Sequence, residues 1–384
     1  MSEKKGIAVL CSTGCIGAYA MEVIECNPGF FDLQVLSAYS NSDLLIEQAL
    51  KFQPNIVVIG AEDEYKKVKE SLWNEDIHVY CGEEALSQVI ESTHIHTVFN
   101  ALKGYAGMKS SITAICAKKE MLLANRETLL VAGELISALA QKKGVNIYPV
   151  APIQSAIFQS LLGEFHNPVE KVSLMIDNAL RTFTLEQLKD MRVAQLPIAL
   201  SNSKDSKQVI DSMTQMHIGF ELIQAKWLFD FKSEQLEIID HPQSIIQSIV
   251  QFEDGAMKAQ LGKSNIPTSI QYAMTYPHRI KSESSRFNFL DHPELTFYHP
   301  NREIFSGIDL CFDVIDKGGI SACVLNASNE IAVEAFLKNQ ISFTEINQLN
   351  KQVLKTIETK NKPVYDDYLQ SHQIARQSAL KLLS

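Results

Sequence analysis

The sequence predicts an α/β protein with a parallel, doubly wound N-terminal domain, a central α+β domain and a C-terminal helical bundle. Over the first ~150 residues, short apolar runs alternate with amphipathic stretches, which is typical of βαβ units. After Pro149, helical stretches mix with strand candidates, and from Ile308 onward the pattern is helical. These changes divide the chain into residues 1–150, 151–275, a linker at 276–300 and a C-terminal part at 301–384.

The N-terminal domain is predicted from buried strands that alternate with helices. Apolar runs rich in β-branched residues predict strands over 7–10, 33–38, 55–60 and 98–102. A helix is predicted over 17–26 because its apolar residues share one side. Ser42 and Asp43 are predicted to cap a second helix that begins at Leu44.

The central and C-terminal parts are predicted from a hairpin and several long helices. Strand candidates at 245–252 and 257–261 flank Asp254-Gly255, a pair typical of a tight turn. A long helix is predicted over 212–229. Ser, Pro, His and Asn are frequent over 276–300, which indicates the linker. The remaining helices are predicted over 325–339, 343–360 and 366–383.

The composition narrows the class of protein. A formal net charge of −10 argues against nucleic acid or an anionic membrane surface as a partner. No apolar run approaches the roughly 20 residues of a membrane span, and the first residues lack a signal-peptide core. Seven cysteines without a regular framework fit a reducing compartment, so we expect a cytoplasmic protein. Cys11 and Cys15 have the spacing of half a zinc site, but two small buried residues are the favoured interpretation.

The loop after the first strand carries a candidate dinucleotide-binding motif, which makes the N-terminal domain Rossmann-like. Gly14 and Gly17 stand where the last two glycines of the motif belong, and Cys11 stands at the first. A Cβ at Cys11 crowds this turn if the residue needs a positive φ. N–H groups at the helix start would face the pyrophosphate. The expected cofactor contacts are Thr13, Gly14, Cys15 and Ile16. An ordinary βα turn that contains glycine would look similar.

The end of the second strand indicates the type of dinucleotide. Classical NAD binders carry Asp or Glu there to hold the ribose hydroxyls. Residues 37–41 read Ser-Ala-Tyr-Ser-Asn, and no acid follows until Asp43. The hydroxyl of Ser40 and the amide of Asn41 could meet a 2′-phosphate, which favours NADPH over NADH. An ordinary polar loop is the alternative.

Motifs spread along the chain resemble those of 1-deoxy-D-xylulose 5-phosphate reductoisomerases. The segment 123–129 resembles the family's A-L-A-N-K-E-S-L, and 326–330 resembles N-A-A-N-E. The segments 241–244 and 259–262 match H-P-Q-S and A-Q-L-G. The resemblance covers nearly the whole chain in the same order.

This resemblance implies a V-shaped homodimer whose subunit has an NADPH domain, a catalytic-type domain with a flexible lid, and a C-terminal helical domain. The family reaction isomerises 1-deoxy-D-xylulose 5-phosphate and reduces it to 2-C-methyl-D-erythritol 4-phosphate, an early step of non-mevalonate isoprenoid synthesis. It uses Mg²⁺, Mn²⁺ or Co²⁺ as a Lewis acid and a template for the substrate. Asn125 and Glu127 are the implied nicotinamide contacts, and Arg126 is an implied substrate contact because it keeps the charge of the family Lys.

At the metal site the chain departs from the family pattern. The family reads P-V-D-S-E-H-S-A-I-F-Q where this chain has residues 149–159, and its Asp and Glu hold the metal. Ala151 and Ile153 stand at those two positions, while Glu221 matches the third ligand. Hard cations need oxygen ligands. A divalent metal is therefore expected for the family but predicted not to bind here. His217 with Glu221, four residues apart, is an alternative metal pair, although a solvent-facing or packed pair is favoured.

The substrate positions also differ. Ser212 matches a substrate serine, but His217 and Ile218 replace an Asn and a Lys. Residues 175–180 replace the phosphate loop T-A-S-G-G-P-F, and Asp177 would repel a phosphate. Residues 199–205 align with the lid H-P-N-W-x-M-G without its His or Trp. His241 and Gln243 are expected to support the end of the sheet.

Three functions follow from these observations. The leading hypothesis is a pseudoenzyme, a homologue that folds and dimerises but has lost the metal-dependent activity and keeps Glu221 and Ser212 as remnants. The first alternative is an active reductoisomerase with a rebuilt site. The second is a nucleotide-binding or scaffold partner that forms a heteromer with a competent paralogue.

Overall fold

The computed structural model of the chain describes residues 4–177, 180–181, 183–189, 191–195, 206–262, 265–282, 284–302 and 306–383. The chain forms two compact units. The first contains Met1–Thr128, Ile136–Ser155 and Asn265–Ser284, and the second contains Leu129–Leu135, Ala156–Ser264 and Ser285–Ser384. Both units are therefore built from separate stretches of the chain, unlike the consecutive segments that the sequence predicts. The four-part division stays a prediction.

The first unit is built on a parallel sheet of seven strands. The strands are β1 (Lys5–Leu10), β2 (Phe31–Ala38), β3 (Ile56–Ile59), β4 (His78–Cys81), β5 (Thr97–Asn100), β6 (Glu120–Leu123) and β7 (Ile147–Pro149). Their order is β4-β3-β2-β1-β5-β6-β7, and every neighbouring pair is parallel. Ile7, Val9 and Leu36 are fully buried, which explains why the two central strands read as apolar runs.

Helices connect these strands. They are α1 (Cys15–Cys26), α2 (Ser42–Phe52), α3 (Glu62–Ser71), α4 (Gly82–Ile90), α5 (Gly104–Cys116) and α6 (Arg126–Lys143). The next helix, α7 (Pro152–Leu161), follows β7, and both α6 and α7 include residues of the second unit. A later helix, Ile266–Thr275, also belongs to this unit and packs against α1 and β7. Its Ile270, Ala273 and Met274 join the same buried cluster as Ile7 and Val9. Residues 276–282, assigned to a linker by composition, lie in the first unit as well.

The second unit combines a small mixed sheet with helices. Its strands are β8 (Val169–Ile176), β9 (Leu236–Asp240), β10 (Ile246–Phe252) and β11 (Met257–Leu261), in the order β11-β10-β8-β9. Its helices are α8 (Leu185–Lys189), α9 (Ser206–Met213), α10 (Met216–Phe229), α12 (Ser306–Lys317), α13 (Ser321–Leu337), α14 (Phe343–Thr356) and α15 (Tyr365–Leu383). The label α11 is given to the helix Ile266–Thr275, which belongs to the first unit. The helices α13, α14 and α15 pack on one another.

The α/β class is confirmed, with a parallel N-terminal sheet and helices at the C-terminus. The turn at Asp254-Gly255 joins antiparallel β10 and β11, and Gly255 has a φ of 85°. Several predicted bounds differ from the structure; for example, the helix predicted over 343–360 ends at Thr356. Two further local predictions are wrong for an identifiable reason. The helix predicted from Leu44 begins at Ser42, because Asn41 is its N-cap and accepts a bond from the Leu44 N–H. The helix predicted over 212–229 is two helices, because Gln215 between them has a φ of 60°.

The part of the chain that the structure describes contains no helix long and apolar enough to cross a membrane.

Candidate active site

The candidate cofactor loop joins β1 to α1. Cys11 has a φ of 63°, so a β-carbon stands at the position where the motif has its first glycine and the backbone is left-handed. Gly14 is the N-cap of α1. Gly17 lies so close to the loop that a Cβ built on it would be 2.1 Å from the carbonyl oxygen of Cys11. This close approach explains the glycine at position 17 and holds the helix start against the strand end.

Internal hydrogen bonds fix this loop. The Cys11 N–H donates to Ser37 Oγ at 3.1 Å, and the Ser12 N–H donates to the Ser37 carbonyl at 2.8 Å. Buried Ser12 donates its hydroxyl to Gln48 Oε1 at 2.6 Å, and Gln48 Nε2 donates back to the Ser12 carbonyl at 3.1 Å. The loop is therefore tied to β2 and α2 by these four hydrogen bonds.

The electrostatics of the helix start suit an anion. The first turn of α1 carries no acidic side chain, and Gly14 provides no side-chain cap for its N–H groups. Burial raises the pKa of the Cys11 thiol, although its bond with the Gly14 backbone and the charge of Lys103 act in the opposite direction. Thr13, Gly14 and Ile16 are partly exposed at this point, whereas Cys15 is exposed. The exposure of Cys15 corrects the expectation of two buried cysteines.

Ser40 and Asn41 follow the end of β2 and are both exposed. Asn41 Oδ1 accepts the N–H of Leu44 at 3.3 Å, so this side chain already caps α2. The Ser40 carbonyl accepts the N–H of Ser42 at 2.9 Å. Their location at the carboxyl edge of the sheet is where a dinucleotide's ribose is held in this class of fold. Their role in cofactor binding stays a prediction.

Asn125 is the buried N-cap of α6 and uses all four of its hydrogen-bonding positions within the protein. Its Oδ1 accepts from the Thr128 N–H at 2.6 Å and from Thr128 Oγ1 at 2.5 Å. Its Nδ2 donates to the carbonyls of Leu102 and Gly104. A ligand contact from this side chain would compete with these bonds. Arg126 and Glu127, in the first turn of α6, are partly exposed.

The predicted metal positions present hydrocarbon side chains. Ala151 precedes α7, accepts the N–H of Ser155 at 2.9 Å through its carbonyl, and is partly exposed, as is Ile153. Both belong to the first unit, and buried Glu221 on α10 belongs to the second. Among the described residues, no group of three His, Cys, Asp or Glu side chains could hold a metal ion. One carboxylate and two hydrocarbon side chains do not fit a hard divalent cation.

The end of β8, where the phosphate loop is expected, contains a closed group of charges. Arg181 donates from Nε and Nη2 to the two carboxylate oxygens of Asp240, at 2.7 and 2.6 Å. Asp177 lies 3.5 Å from the same guanidinium, which also sits 5.5 Å from the ring centroid of Tyr298. The bond with Asp240 raises the pKa of Arg181. The carboxylate of Asp240 is 2% exposed, so this cation is committed to a partner inside the protein.

Sequence reasoning found Asp177 but missed Arg181 and Asp240. They are 59 residues apart, and the register that pairs Ile176 on β8 with Asp240 on β9 brings them together. The ends of two parallel strands were the signal that could have found them. Asn178, Ala179 and residues 199–205, which align with the lid, lie outside the described residues.

Ser212 and Glu221 lie on consecutive helices, α9 and α10. The carbonyl of Ser212 accepts from Gln215 Nε2 at 2.9 Å, which stabilises the break between these helices. Ile218, at the position of a family lysine, is fully buried. The apolar side chain at this position therefore packs in the core.

A buried polar network next to Ser212 was also missed. Asp211 accepts from Lys207 Nζ at 2.5 Å and from Asn329 Nδ2 at 2.7 Å. Asn350 Nδ2 donates to Asn329 Oδ1 at 3.1 Å, and Ser328 donates to Asn350 at 2.9 Å. The network links α9 to α13 and α14, and explains why polar residues interrupt the apolar face of α13.

His241 and Gln243 both bind residue 296. His241 Nδ1 lies 2.9 Å from the Thr296 carbonyl, and its ring stacks on Phe297 with centroids 4.9 Å apart. Gln243 Nε2 donates to Thr296 Oγ1 at 2.9 Å. These contacts hold a connecting segment at the end of β9, as the sequence predicts for this pair.

Comparisons with known proteins agree along the whole chain. A model of the 1-deoxy-D-xylulose 5-phosphate reductoisomerase family matches residues 7–133, and one of the DXP reductoisomerase C-terminal domain matches residues 261–378. A 1-deoxy-D-xylulose 5-phosphate reductoisomerase of Phocaeicola vulgatus is 44% identical, with 99% of this chain and 100% of that protein covered. A Porphyromonas gingivalis protein of the same name is 42% identical, with 99% and 98% covered.

Solved structures give the same result. A reductoisomerase from Zymomonas mobilis in complex with NADPH superposes with a TM-score of 0.93 at 29% identity, covering 100% of both chains. A DOX-P reductoisomerase with fosmidomycin and magnesium has a TM-score of 0.87 at 28% identity, covering 99% of this chain and 98% of that one. The matches extend over both compact units, so this chain belongs to the 1-deoxy-D-xylulose 5-phosphate reductoisomerase family.

Proposed function

We propose that this chain is an NADPH-binding member of the family that has lost the metal-dependent step of the family reaction. The observation that carries the proposal is the pair Ala151 and Ile153, whose side chains contain no oxygen at two expected ligand positions. Glu221 alone cannot replace two further carboxylates around a doubly charged ion.

The cofactor half of the proposal rests on the loop between β1 and α1. The glycine at position 17 permits the close approach of helix and strand, and the helix start has no acidic side chain in its first turn. Backbone N–H groups at such a start bind phosphate oxygens. Residues Thr13 to Ile16 would hold the pyrophosphate, with Ser40 and Asn41 at the ribose. Bound NADPH would supply a hydride to a carbonyl group.

The size of the expected loss follows from general magnitudes. A catalytic metal stabilises developing charge by several kcal/mol. Each 1.4 kcal/mol is about a factor of ten in rate, so removing the ion costs on the order of 10³ or more. The charges at the end of β8 add to this loss of rate. Asp177 and Asp240 both form ion pairs with Arg181, so this cation is engaged at the position where a phosphate would need it.

Turnover of 1-deoxy-D-xylulose 5-phosphate with NADPH and Mn²⁺ tests the proposal. We expect the rate to be lower than that of an ordinary family member by on the order of 10³ or more. The matched variant Ala151→Asp/Ile153→Glu restores two oxygen ligands, and we expect Mn²⁺ to raise its melting temperature but not that of the parent. A parent rate within about tenfold of the family member would refute the loss of activity.

A second candidate is an active reductoisomerase with a rebuilt site. The names of the relatives favour it, because proteins 44% identical over nearly the whole chain are reductoisomerases. Ser212 and Glu221 also remain at their expected positions. This candidate requires a bound divalent ion. Calorimetric titration with Mn²⁺ in the presence of NADPH and substrate should then show stoichiometric binding, and a flat titration would rule it out.

The partner is proposed to be a second copy of the chain. The family resemblance motivates a homodimer, and loss of turnover motivates a heteromer with a competent paralogue as its alternative. Native mass spectrometry after co-expression with such a paralogue distinguishes them, because the two chains differ in mass. Exclusive homodimers would count against the heteromer. A cytoplasmic location stays a prediction from composition.

A further inference from the structure

We infer that Tyr39 is the stacking surface for the adenine ring of the dinucleotide, with Gly60 as the support beneath it. This role deepens the cofactor half of the proposed function and rests on it. It concerns a residue outside the glycine motif and outside the polar pair Ser40 and Asn41. The argument uses the location of Tyr39, the contacts of its ring and its exposure.

The location is the carboxyl edge of the parallel sheet. β2 ends at Ala38, and Tyr39 is the next residue. β2 lies directly beside β1, whose end carries the glycine loop, and the Ser37 carbonyl accepts the Ser12 N–H from that loop. In open α/β sheets the dinucleotide crosses this edge, with its pyrophosphate on the first helix and its adenosine ribose at the end of the second strand. Tyr39 therefore lies next to the ribose position.

The backbone of Tyr39 is fixed on its other side by the end of β3. The Tyr39 carbonyl accepts the N–H of Ala61 at 2.7 Å, and the Ala38 carbonyl accepts the N–H of Gly60 at 2.9 Å. The ring lies on Gly60, because a Cβ built there would be 2.7 Å from Tyr39 Cδ2. One side of the ring is thus supported by backbone, and the glycine is what allows this contact.

Tyr39 is nevertheless 73% exposed, so the side of the ring opposite Gly60 faces solvent. A large aromatic ring held by backbone but uncovered is prepared to stack on a flat ligand. Purine bases stack well on tyrosine, since every base presents a π-face, and the contact needs no hydrogen-bond pattern. The neighbouring hydroxyl of Ser40 and amide of Asn41 are polar groups suited to the ribose and its phosphate, which matches the adenosine 2′-phosphate end of NADPH.

Exposure alone does not distinguish Tyr39 from other aromatic residues, but its location does. Trp73 is 75% exposed in the same unit but follows the end of α3, close to the start of β4. It lies at the amino edge of the sheet, because a helix that follows a parallel strand returns the chain to the edge where the next strand begins. Trp73 is therefore a matched aromatic control that is far from the dinucleotide edge.

Calorimetric titration of the full chain with NADPH and with adenosine 2′,5′-bisphosphate tests the inference. Loss of base stacking corresponds to a five- to 150-fold loss of affinity, so we expect Tyr39→Ala to weaken both ligands about tenfold. Tyr39→Phe should bind within about twofold of the parent because the ring remains. Trp73→Ala should bind like the parent. Melting temperatures of the variants identify any that fail to fold.

Gly60→Ala provides a second, independent variant. Its Cβ displaces the tyrosine ring, so we expect weaker binding in the parent but no further loss in a Tyr39→Ala background. If the parent binds NADPH and Tyr39→Ala binds both ligands with unchanged affinity, the role of Tyr39 in adenine stacking is refuted, whereas NADPH binding by the chain is not. A parent that binds neither ligand would overturn NADPH binding itself and this inference with it.

Discussion

Two strand ends of this protein have comparable tasks in the family but different chemistry. The end of β1 opens into a loop that is proposed to contact a dinucleotide through backbone N–H groups. The Cys11 N–H of this loop donates to Ser37 Oγ, and the Ser12 hydroxyl donates to Gln48. The end of β8 opens into a segment whose Arg181 is bound by Asp177 and Asp240. A backbone site needs only space and a helix start, whereas a site built from side chains disappears when those side chains change. We therefore expect cofactor binding to outlast metal and phosphate binding in this chain.

The largest expected effect is at Gly17. A Cβ in Gly17→Ala would be 2.1 Å from the Cys11 carbonyl oxygen and 2.7 Å from Ser12 Cα, and backbone must move to relieve it. Overpacking of this kind costs about 3 kcal/mol, which corresponds to more than 100-fold weaker NADPH binding if the loop absorbs it. Calorimetry and urea unfolding measure the two effects.

Gly29→Ala is the control for Gly17, because nothing lies within 4 Å of a Cβ at Gly29. If both variants bind NADPH equally well, the loop does not depend on close packing, and the comparison between the two strand ends fails.

The next effect concerns the charges at the end of β8. Asp240→Asn removes the ionic partner of Arg181 from a carboxyl group that is 2% exposed. A poorly satisfied buried group of this kind costs about 2 kcal/mol in the free energy of unfolding, measured by urea denaturation. Asp313→Asn, at an exposed position of α12, should change stability by less than about 0.5 kcal/mol. Equal losses of stability in the two variants would show that the ion pair between Arg181 and Asp240 does not stabilise the end of β8.

An effect of similar size distinguishes a buried cap from an exposed one. Asn125→Ala removes bonds to Thr128, Leu102 and Gly104, and we expect a loss of about 2 kcal/mol in unfolding free energy. Asn41→Ala removes one exposed cap bond, and we expect about 0.5 kcal/mol. Thermal or urea unfolding gives both values. If Asn41 proves the more important cap, the ordering by burial is wrong.

The smallest expected effect concerns a capping box outside both strand ends, and it gives a reference value for the loss of one exposed hydrogen bond. The N–H of Ser342 donates to Glu345 at 2.6 Å in a capping box, and this bond lowers the pKa of Glu345. A lowered folded-state pKa gives stability that is present above the unfolded value near 4.5 and is lost as the pH falls through the folded value. Glu345→Gln should therefore cost about 0.5 kcal/mol at pH 7, after allowance for exposure, and progressively less as the pH is lowered towards 3.

Exposed Glu358→Gln is the control for this last variant. We expect it to have the same stability as the parent at both pH values. A Glu345→Gln loss that persists at pH 3 would show that the side chain acts through packing instead of charge.

Buried apolar runs were enough to predict four strands of the first sheet, but β6, β8 and β9 were not predicted although they also contain buried residues. β1, β2, β3 and β5 are rich in buried apolar side chains, which is a strong signal. β4 was missed because its residues are exposed or only partly buried, and β7 because it has three residues. The break at Gln215 has no glycine or proline to mark it.

The candidate site divides in the same way. Gly14 and Gly17 made the loop predictable, because the close approach of the helix start to Cys11 leaves little room for a side chain at these positions. The pairing of Arg181 with Asp240 depends on strand register across 59 positions, which local patterns do not encode. Asn125 was recognised by motif, but two of its four internal bonds are made to the loop at 102–104, which the motif does not contain.

The helix Ile266–Thr275 completes the core around β1, although about 115 residues of the other unit precede it in the chain. On the ribosome, the amino-terminal sheet must wait with an uncovered apolar face until this helix has been translated. A fragment that stops after β7 should consequently be prone to aggregation, whereas one that supplies 265–284 through a short tether has the segments it needs. The order of synthesis thus leaves the core of the first unit incomplete until residues 156–264 of the second unit have been made.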